Sequence, residues 1–277
     1  MSKRGKIALA RAGNVVRLTI ERPHKHNALD LPMIAAMSAA LDRIARDKAA
    51  RVLIVAGAGG ASFSAGADLD RLTAKPDFAR SLAEFEGALQ RMTHKLKRLA
   101  IPTIAALRGF CMGGGVQVAL GCDLRFAAGD LALAIPAVRM GLVYPRSALA
   151  DLVARIGAPA AKLLLWTASP LDARAAARLG LVDAVFPVRG FARRVDEVAA
   201  TIARQPPVAV KAYKRVLDAL ARGDPATAER VARRVNRGAE MFEALRRLAL
   251  HRRGGSGIPR SQRRAAAMER WGRLDID

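Results

Sequence analysis

The pattern of hydrophobic and polar residues predicts both strands and helices in the first part of the chain. Residues 6–10 and 14–20 alternate with a period of two, which indicates a β-hairpin. Residues 29–47 repeat with helical spacing instead, and Asp30 stands at the expected N-cap with Pro32 in the first turn. A hairpin followed by a helix is therefore expected before residue 50.

Unbroken apolar runs come next, and they predict strands that are buried on both faces. These runs occupy 51–57, 102–109 and 123–128. A long amphipathic helix is predicted over 77–98, and a further helix is expected to begin at Gly114. Strands that alternate with helices in this way are typical of an α/β fold.

The second half of the chain is predicted to be mostly helical. The helical pattern continues from Ala158, with interruptions at 180–188 and at the prolines of 205–207. The last residues are basic, contain glycines and have little periodicity, so we expect a tail that is partly mobile. The predicted parts are a core over 1–203, a helical segment over 204–250 and a basic tail over 251–277.

Composition supports a sizeable core and excludes several classes of protein. Of the 277 residues, 52% are hydrophobic but only 4% are aromatic, so the core consists mainly of Ala, Leu and Val. No apolar run approaches the roughly 20 residues that a membrane span needs, and no signal peptide is evident. Cys111 and Cys122 have neither zinc-site nor disulfide-framework spacing. We expect a cytoplasmic protein without a metal site.

Charge adds a question about partners. The chain has 47 basic and 24 acidic residues, a formal net charge of +23. Such a field attracts polyanions, including nucleic acid, a membrane surface or a phosphate-bearing ligand. It is equally compatible with solvated helix faces that bind nothing, so the charge alone does not select a function.

Two glycine-bearing turns carry the candidate chemistry. Residues 60–72 and 109–120 each contain the end of an apolar strand, a glycine turn and the start of a helix. Two helix starts that converge would offer a pair of backbone N–H donors to a developing oxyanion. The alternative is two tight turns that bind nothing. Phosphate-loop, dinucleotide and serine-nucleophile patterns are all missing here.

Five segments of the chain together carry a resemblance to one known family. They are "RPHKHNAL" (22–29), "FSAGADL" (63–69), "PTIAALRGFCMGGG" (102–115), "CDLRFA" (122–127) and "ASPLDARAAARLGLVDAVFP" (168–187). In their order and spacing, which extend over roughly residues 5–220, the chain resembles the enoyl-CoA hydratase/isomerase (crotonase) superfamily.

This resemblance implies a fold, an assembly and a substrate class. The fold is a spiral of ββα units with a C-terminal helical segment that builds a homotrimer, often paired into a hexamer. The substrate is an acyl-CoA thioester, with coenzyme A as part of the substrate and no separate cofactor. Its carbonyl oxygen would lie between the backbone amides of Ala67 and Gly114.

The resemblance also places other residues beside the substrate. Lys25 would lie near the CoA phosphates, although a solvated surface lysine is an equal alternative. Asp68 is expected to serve as a helix N-cap rather than as a catalyst, and Asp123 is expected to be structural. The positions assigned to substrate binding are Lys25, Ala65, Gly66, Asp68, Leu69 and Gly113.

The sequence departs from the family at both catalytic glutamates. Hydratases of the family carry one in "GGGxE" and one in "PExxLG", where this chain has Gln117 and Ala137. Glutamine can orient water but cannot take up a proton near neutral pH, and alanine can do neither. The family's usual acid–base pair is therefore missing from both positions.

Other residues near the expected site are weaker candidates. Tyr144 matches a tyrosine of decarboxylating members, but it is also explained as a packing residue with a bonded hydroxyl. A dehalogenase would need an aspartate at Pro145 and a histidine at Gln90. His94 could face the acyl pocket or serve in packing. Three further candidates have no ranking: Glu84, Glu86 and Arg146.

Three functions remain open at this point. The first is a hydratase/isomerase homologue whose acid–base groups are displaced. The second is a decarboxylase-like member that uses the oxyanion site alone. The third is a module that binds acyl-CoA or polyanions without turnover. Nucleic-acid binding is expected to be nonspecific at most, because aromatic stacking residues are few.

Overall fold

The computed structural model describes residues 5–74 and 76–238. Within that part, the chain divides into two compact units between Ala203 and Arg204. The predicted tail over 251–277 lies outside the described residues, as does the predicted helical segment beyond 238. No helix among the described residues is long and apolar enough to cross a membrane.

The first unit contains two sheets. The larger has six strands in the order β1-β2-β3-β5-β7-β10, and the smaller has four in the order β4-β6-β8-β9. Pairing is parallel except for β1 with β2 and β8 with β9. The strands are β1 Lys6–Ala12, β2 Val15–Glu21, β3 Val52–Gly57, β4 Ser62–Ser64, β5 Thr103–Leu107, β6 Phe110–Met112, β7 Leu124–Ala128, β8 Ala132–Ala134, β9 Leu171–Asp172 and β10 Ala184–Phe186.

Helices follow the strands and complete the layers, and α8 and α9 form the described part of the second unit. Short 3₁₀ turns occupy Pro23–Lys25 and Pro136–Met140. The helices are α1 Leu31–Arg46, α2 Leu69–Thr73, α3 Phe78–Lys97, α4 Gly114–Leu120, α5 Arg146–Thr167, α6 Ala173–Arg178, α7 Phe191–Arg204, α8 Pro207–Ala221 and α9 Pro225–Asn236.

The order of elements confirms the expected α/β fold. The pairs β3–β4, β5–β6 and β7–β8 each place one strand in the larger sheet and the next in the smaller sheet, before the chain enters a helix or a 3₁₀ turn. This repetition is the ββα spiral that the resemblance implies. It brings the chain after β4 and the chain after β6 to neighbouring positions, since those two strands pair in parallel.

Local sequence signals account for the two helices that flank the site. Asp30 caps α1, because its carboxylate accepts from the Met33 amide at 3.0 Å. Asp77 caps α3 by accepting from the Arg80 amide at 2.9 Å. The predicted hairpin and the predicted α1 and α3 are all observed, with ends that differ by one or two residues.

One part of the helical prediction needs correction. Helix α5 begins at Arg146, well before Ala158, and Gly157 interrupts it with a positive φ of 73°. The chain beyond Thr167 also forms the short strand β9, which extends the smaller sheet. Two residues give too little alternation for a strand to be seen in the sequence.

Polar groups between β5 and β7 are structural, as expected for Asp123. The Asp123 carboxylate accepts from the Thr103 amide at 2.7 Å and from the Thr103 hydroxyl at 2.9 Å. Nearby, Arg125 is only 1% exposed, and its guanidinium lies 2.6 Å from the Asp183 carboxylate. These bonds satisfy polar groups inside the core and tie adjacent strands together.

Candidate active site

Two glycine turns meet at the expected site. Gly66 has a φ of 85°, and a Cβ at this position would lie 2.7 Å from the Met112 carbonyl oxygen and 2.8 Å from the Gly114 nitrogen. Gly113 has a φ of 45°, which also belongs to the left-handed region. Glycine is needed at both positions, because side chains would push the two turns apart or strain them.

Pairing with Leu29 sets the direction of the Ala67 amide. The Leu29 amide donates to the Gly66 carbonyl at 2.6 Å, and the Asp68 amide donates to the Leu29 carbonyl at 2.8 Å. In such a parallel bridge, the N–H of the central residue, Ala67, points away from Leu29. Neither the Ala67 amide nor the Gly114 amide donates to another of the described residues. Both amides remain available to a ligand.

Asn27 braces the loop that carries Leu29. Its side-chain amide donates to the Ala58 and Ser62 carbonyls at 2.9 and 2.8 Å, and its side-chain oxygen accepts from the Arg22 amide at 2.9 Å. The Ser64 hydroxyl donates to the Asn27 carbonyl at 2.9 Å. Sequence reasoning missed this role. The sequence signal for this role was an Asn in a short polar loop. Asn tolerates a positive φ, and Asn27 has a φ of 57°.

Asp68 has a different role from the one predicted. Its side chain makes no capping bond to α2. The carboxylate lies instead 2.7 Å from the Arg22 guanidinium, and both side chains are 3% exposed. Burial alone would raise the pKa of Asp68, but the ion pairs with Arg22 and Lys25 outweigh burial and lower it. Asp68 therefore joins the loop of Arg22 to the turn of Ala67.

Lys25 lies at the edge of this charge cluster. Its ammonium group is 2.7 Å from the Asp70 carboxylate and 3.3 Å from the Asp68 carboxylate. The bond to Asp70 is the main reason why the pKa of Lys25 is raised, so the side chain stays charged at neutral pH. Two carboxylates nearby reduce the positive potential that Lys25 offers to a phosphate.

A mainly apolar pocket opens beside the two free amides. Of the positions assigned to the site from the sequence, Ala65, Ala67, Leu69, Gly113, Gly114, Gln117, Ala137 and Tyr144 line it. Gly66, Lys25 and Asp68 do not, and Asp68 lines a smaller pocket nearby. The larger apolar residues of the wall are Leu82, Phe85, Leu89, Met140, Leu142 and Val143.

Among the residues that the structure describes, Gln117 and Tyr144 are the uncharged polar side chains on the pocket wall. Gln117 is buried in α4, and its backbone amide donates to the Gly113 carbonyl at 3.2 Å. The Tyr144 hydroxyl donates to the same carbonyl at 2.8 Å. Burial raises the pKa of Tyr144, so the hydroxyl keeps its proton at neutral pH. The bonded hydroxyl matches the packing interpretation of Tyr144.

The remaining candidate residues differ in whether they line the pocket. His94, Glu84 and Arg146 are exposed and do not line the pocket, so His94 does not face the acyl pocket, which was one of the two roles left open for it. Glu86 does line it and is half-buried, and burial raises the pKa of its carboxyl group. Glu86 lies one turn before Leu89 on the apolar side of α3, but the helical pattern does not indicate that this side lines a pocket, so the sequence named Glu86 without ranking it.

Comparison with known proteins identifies the family. The family model described as enoyl-CoA hydratase/isomerase matches residues 10–247 of this chain. The short-chain-enoyl-CoA hydratase of Clostridium acetobutylicum is 31% identical over 217 residues, which cover 76% of this chain and 80% of that protein. The chain therefore belongs to the enoyl-CoA hydratase/isomerase family, as its motifs suggested.

Two further comparisons, one of sequence and one of structure, match most of the chain. The cyclohexa-1,5-dienecarbonyl-CoA hydratase of Thauera aromatica is 37% identical over 179 residues, covering 64% of this chain and 66% of that protein. The crystal structure of an enoyl-CoA hydratase from Bacillus anthracis superposes with a TM-score of 0.84 at 25% identity, covering 88% of this chain and 96% of that one.

The substitution Asp68→Asn is expected to destabilise the protein by about 3 kcal/mol at neutral pH, because it leaves the buried Arg22 without its closest counter-charge. The depressed pKa of Asp68 implies stabilisation that is present above the unfolded-state pKa, roughly 4, and is lost as the pH falls through the folded-state value. Urea unfolding at several pH values measures the difference. Asp70→Asn, which alters an exposed pair, is the control. Equal stabilities for the two variants at neutral pH would contradict the assignment.

Proposed function

We propose that this chain is an enzyme that processes acyl-CoA thioesters and binds the thioester oxygen between the Ala67 and Gly114 amides. The observation that carries the proposal is the pair of unbonded amides beside one pocket, with Ala67 oriented by Leu29. A thioester becomes more negative at this oxygen as an enolate or tetrahedral species forms. Preorganised donors in a site with little water stabilise that charge by several kcal/mol.

The rest of the pocket supports an acyl group rather than a polar substrate. Leu82, Leu142 and Val143 offer hydrocarbon surface, and coenzyme A would leave the pocket past Ala65 and Leu69. Lys25 lies on the 22–29 loop that pairs with this segment, where it is a candidate for contact with CoA phosphates. The substrate itself supplies coenzyme A, so the proposal includes no separate cofactor and no metal.

A non-catalytic acyl-CoA-binding module is the second candidate. The observation in its favour is that Gln117 and Ala137 replace both carboxylates of the family pattern. A decarboxylase-like reaction would need no strong base, but the Tyr144 hydroxyl is already bonded to the Gly113 carbonyl. Incubation with enoyl-, malonyl- and 3-hydroxyacyl-CoA esters separates the three functions by product.

We propose that the enzyme is cytoplasmic and that it assembles as a homotrimer or as a hexamer of two trimers. Large apolar side chains remain exposed on α5, where Trp166 is 71% exposed and Leu163 is 65% exposed. Tyr213 and Leu217 on α8 are exposed to a similar extent. Apolar surface of this kind favours contact between chains. Sedimentation equilibrium gives the number of copies.

The substitution Gly114→Pro removes one of the two donors, and kcat is expected to fall by at least ~10²–10³-fold. Binding of a CoA ester, measured by calorimetry, should persist because the pocket wall remains. Gly114→Ala is the control, since it keeps the N–H and places its Cβ 3.1 Å from a flexible Leu89 methyl group. Full activity of the proline variant would exclude this site.

Hydration of crotonyl-CoA by the natural sequence is expected to be weak, because each positioned acid–base group contributes about 10²–10⁴-fold. The double substitution Gln117→Glu with Ala137→Glu should raise the rate if the acyl chain lies between these positions. Each single variant serves as a comparison. Efficient hydration before any substitution would contradict the prediction.

The positive charge is expected to assist CoA capture rather than sequence-specific nucleic-acid recognition. Binding of a CoA ester and of one RNA should be titrated at low and physiological salt, with the full chain and with a form that lacks 251–277. RNA affinity should fall steeply with salt, because counterion release dominates it, and should be lost with the tail. Sequence-selective RNA binding that persists at physiological salt would favour the binding-module alternative.

A further inference from the structure

Glu86 is the charged side chain on the pocket wall among the described residues. It lies on α3, four residues after Leu82 and three before Leu89, so it occupies the pocket-facing side of that helix. An apolar residue would be expected at such a position. The Glu86 carboxylate makes no ion pair and no hydrogen bond with the rest of the described chain. A half-buried carboxylate without a partner costs stability, and nothing in the packing requires it.

Glu86 shares its helix with a residue that contacts the proposed oxyanion site. A Cβ at Gly114 would lie 3.1 Å from a Leu89 methyl group, so α3 passes directly beside the first residue of α4. Glu86 is one helical turn from Leu89 on the same face. The same pocket is lined by Ala67 and Gly114. An acyl chain whose thioester oxygen is held by these amides would therefore enter the pocket that Glu86 also lines.

The other polar groups on this wall are poor proton acceptors. Gln117 does not ionise in the physiological range, and the buried Tyr144 hydroxyl retains its proton. Burial raises the pKa of Glu86, which makes its carboxylate a stronger base than that of an exposed glutamate. Lys, Arg, His and Asp are not found among the described residues of the pocket wall.

We infer that Glu86 is the catalytic base of this site and that it moves a double bond within a β,γ-unsaturated acyl-CoA thioester. The inference rests on the proposed function, because it needs the thioester oxygen at Ala67 and Gly114. One carboxylate is sufficient for this reaction, because the same group removes a proton and returns it. An apolar pocket in which the described residues include a single carboxylate side chain fits this requirement.

The proposed step balances without another reactant. The Glu86 carboxylate takes a proton from the α-carbon, and the electron pair of that C–H bond enters a dienolate. The two amides stabilise the negative oxygen. Protonated Glu86 then gives the proton to the γ-carbon. The thioester carbonyl and an α,β double bond re-form, and Glu86 is again a carboxylate.

The substitution Glu86→Gln should lower kcat for isomerisation of β,γ-hexenoyl-CoA by about 10²–10⁴-fold. The affinity for hexanoyl-CoA, which cannot isomerise, should stay within the error of calorimetry because the variant keeps its shape. Glu86→Asp should recover part of the rate. Glu84→Gln, on the exposed side of the same helix, is the matched control and should isomerise like the natural protein.

The pH dependence provides a readout that a structural role would not change. In the natural protein, kcat/KM should rise with pH as Glu86 loses its proton, and the raised pKa places this rise above the range of an exposed glutamate, roughly 4.3. Glu86→Gln should lack this rise. Thermal unfolding should show a variant at least as stable as the natural protein, because the substitution removes an unpaired charge from an apolar wall.

The outcomes separate this inference from the proposed function. If the natural protein binds hexanoyl-CoA but does not isomerise β,γ-hexenoyl-CoA, the role of Glu86 is overturned and the binding site stands. A Glu86→Gln variant with the natural rate and the same rise with pH also overturns it. If the natural protein does not bind hexanoyl-CoA at all, the proposed function fails and the inference fails with it.

Discussion

The pairing of Leu29 with residues 66–68 is the constraint on which the site depends. Two short backbone hydrogen bonds hold the turn after β4 against a loop from earlier in the chain. These bonds engage the Gly66 carbonyl and the Asp68 amide on one side of the turn, so the Ala67 amide faces the other side. Without this pairing, the same glycine turn could rotate its amides inward and satisfy them internally. The orientation of the Ala67 amide is thus set by Leu29, Gly66 and Asp68, none of which lines the pocket.

Buried charge strengthens the same contact. Arg22 and Asp68 come from the two segments that Leu29 joins, and their ion pair is shielded from water. Asn27 adds bonds to the Ala58 and Ser62 carbonyls, which lie before and at the start of β4. Directional bonds of this kind favour one conformation of a loop, whereas an apolar contact would tolerate several. The shape of the turn therefore comes from polar contacts on the side that faces away from the pocket.

Much of the fold could be predicted from the sequence, because long elements carry strong periodic signals. The hairpin, α1, α3 and the buried strands all follow such patterns. Asp30 is a cap because it precedes a helical repeat, and the structure shows that bond. Asp68 occupies a similar local position, but Arg22, far away in the chain, takes its carboxylate. A capping residue can be recognised from its neighbours in the sequence, whereas an ion pair between distant segments cannot.

The candidate site likewise has features that local sequence signals predict and features that depend on the tertiary structure. The glycines of 113–115 and of "SAGAD" predict a close approach of backbone. The resemblance to the family then indicated which two amides, those of Ala67 and Gly114, were the candidate donors. The position of Glu86 could not be ranked, because its meaning depends on which side of α3 faces the pocket. His94 illustrates the difference: it lies on the same helix, eight residues later, and is exposed.

The parallel pairing of β4 with β6 keeps the turns that carry the two free amides side by side. Neighbouring strands lie about 4.8 Å apart, and the chain leaves both strands at the same edge of the smaller sheet. One atom that accepts two hydrogen bonds of about 2.9 Å can bridge donors at such a separation. The spacing of the sheet thus allows two segments far apart in the chain to direct their donors at a single acceptor, whatever group carries it.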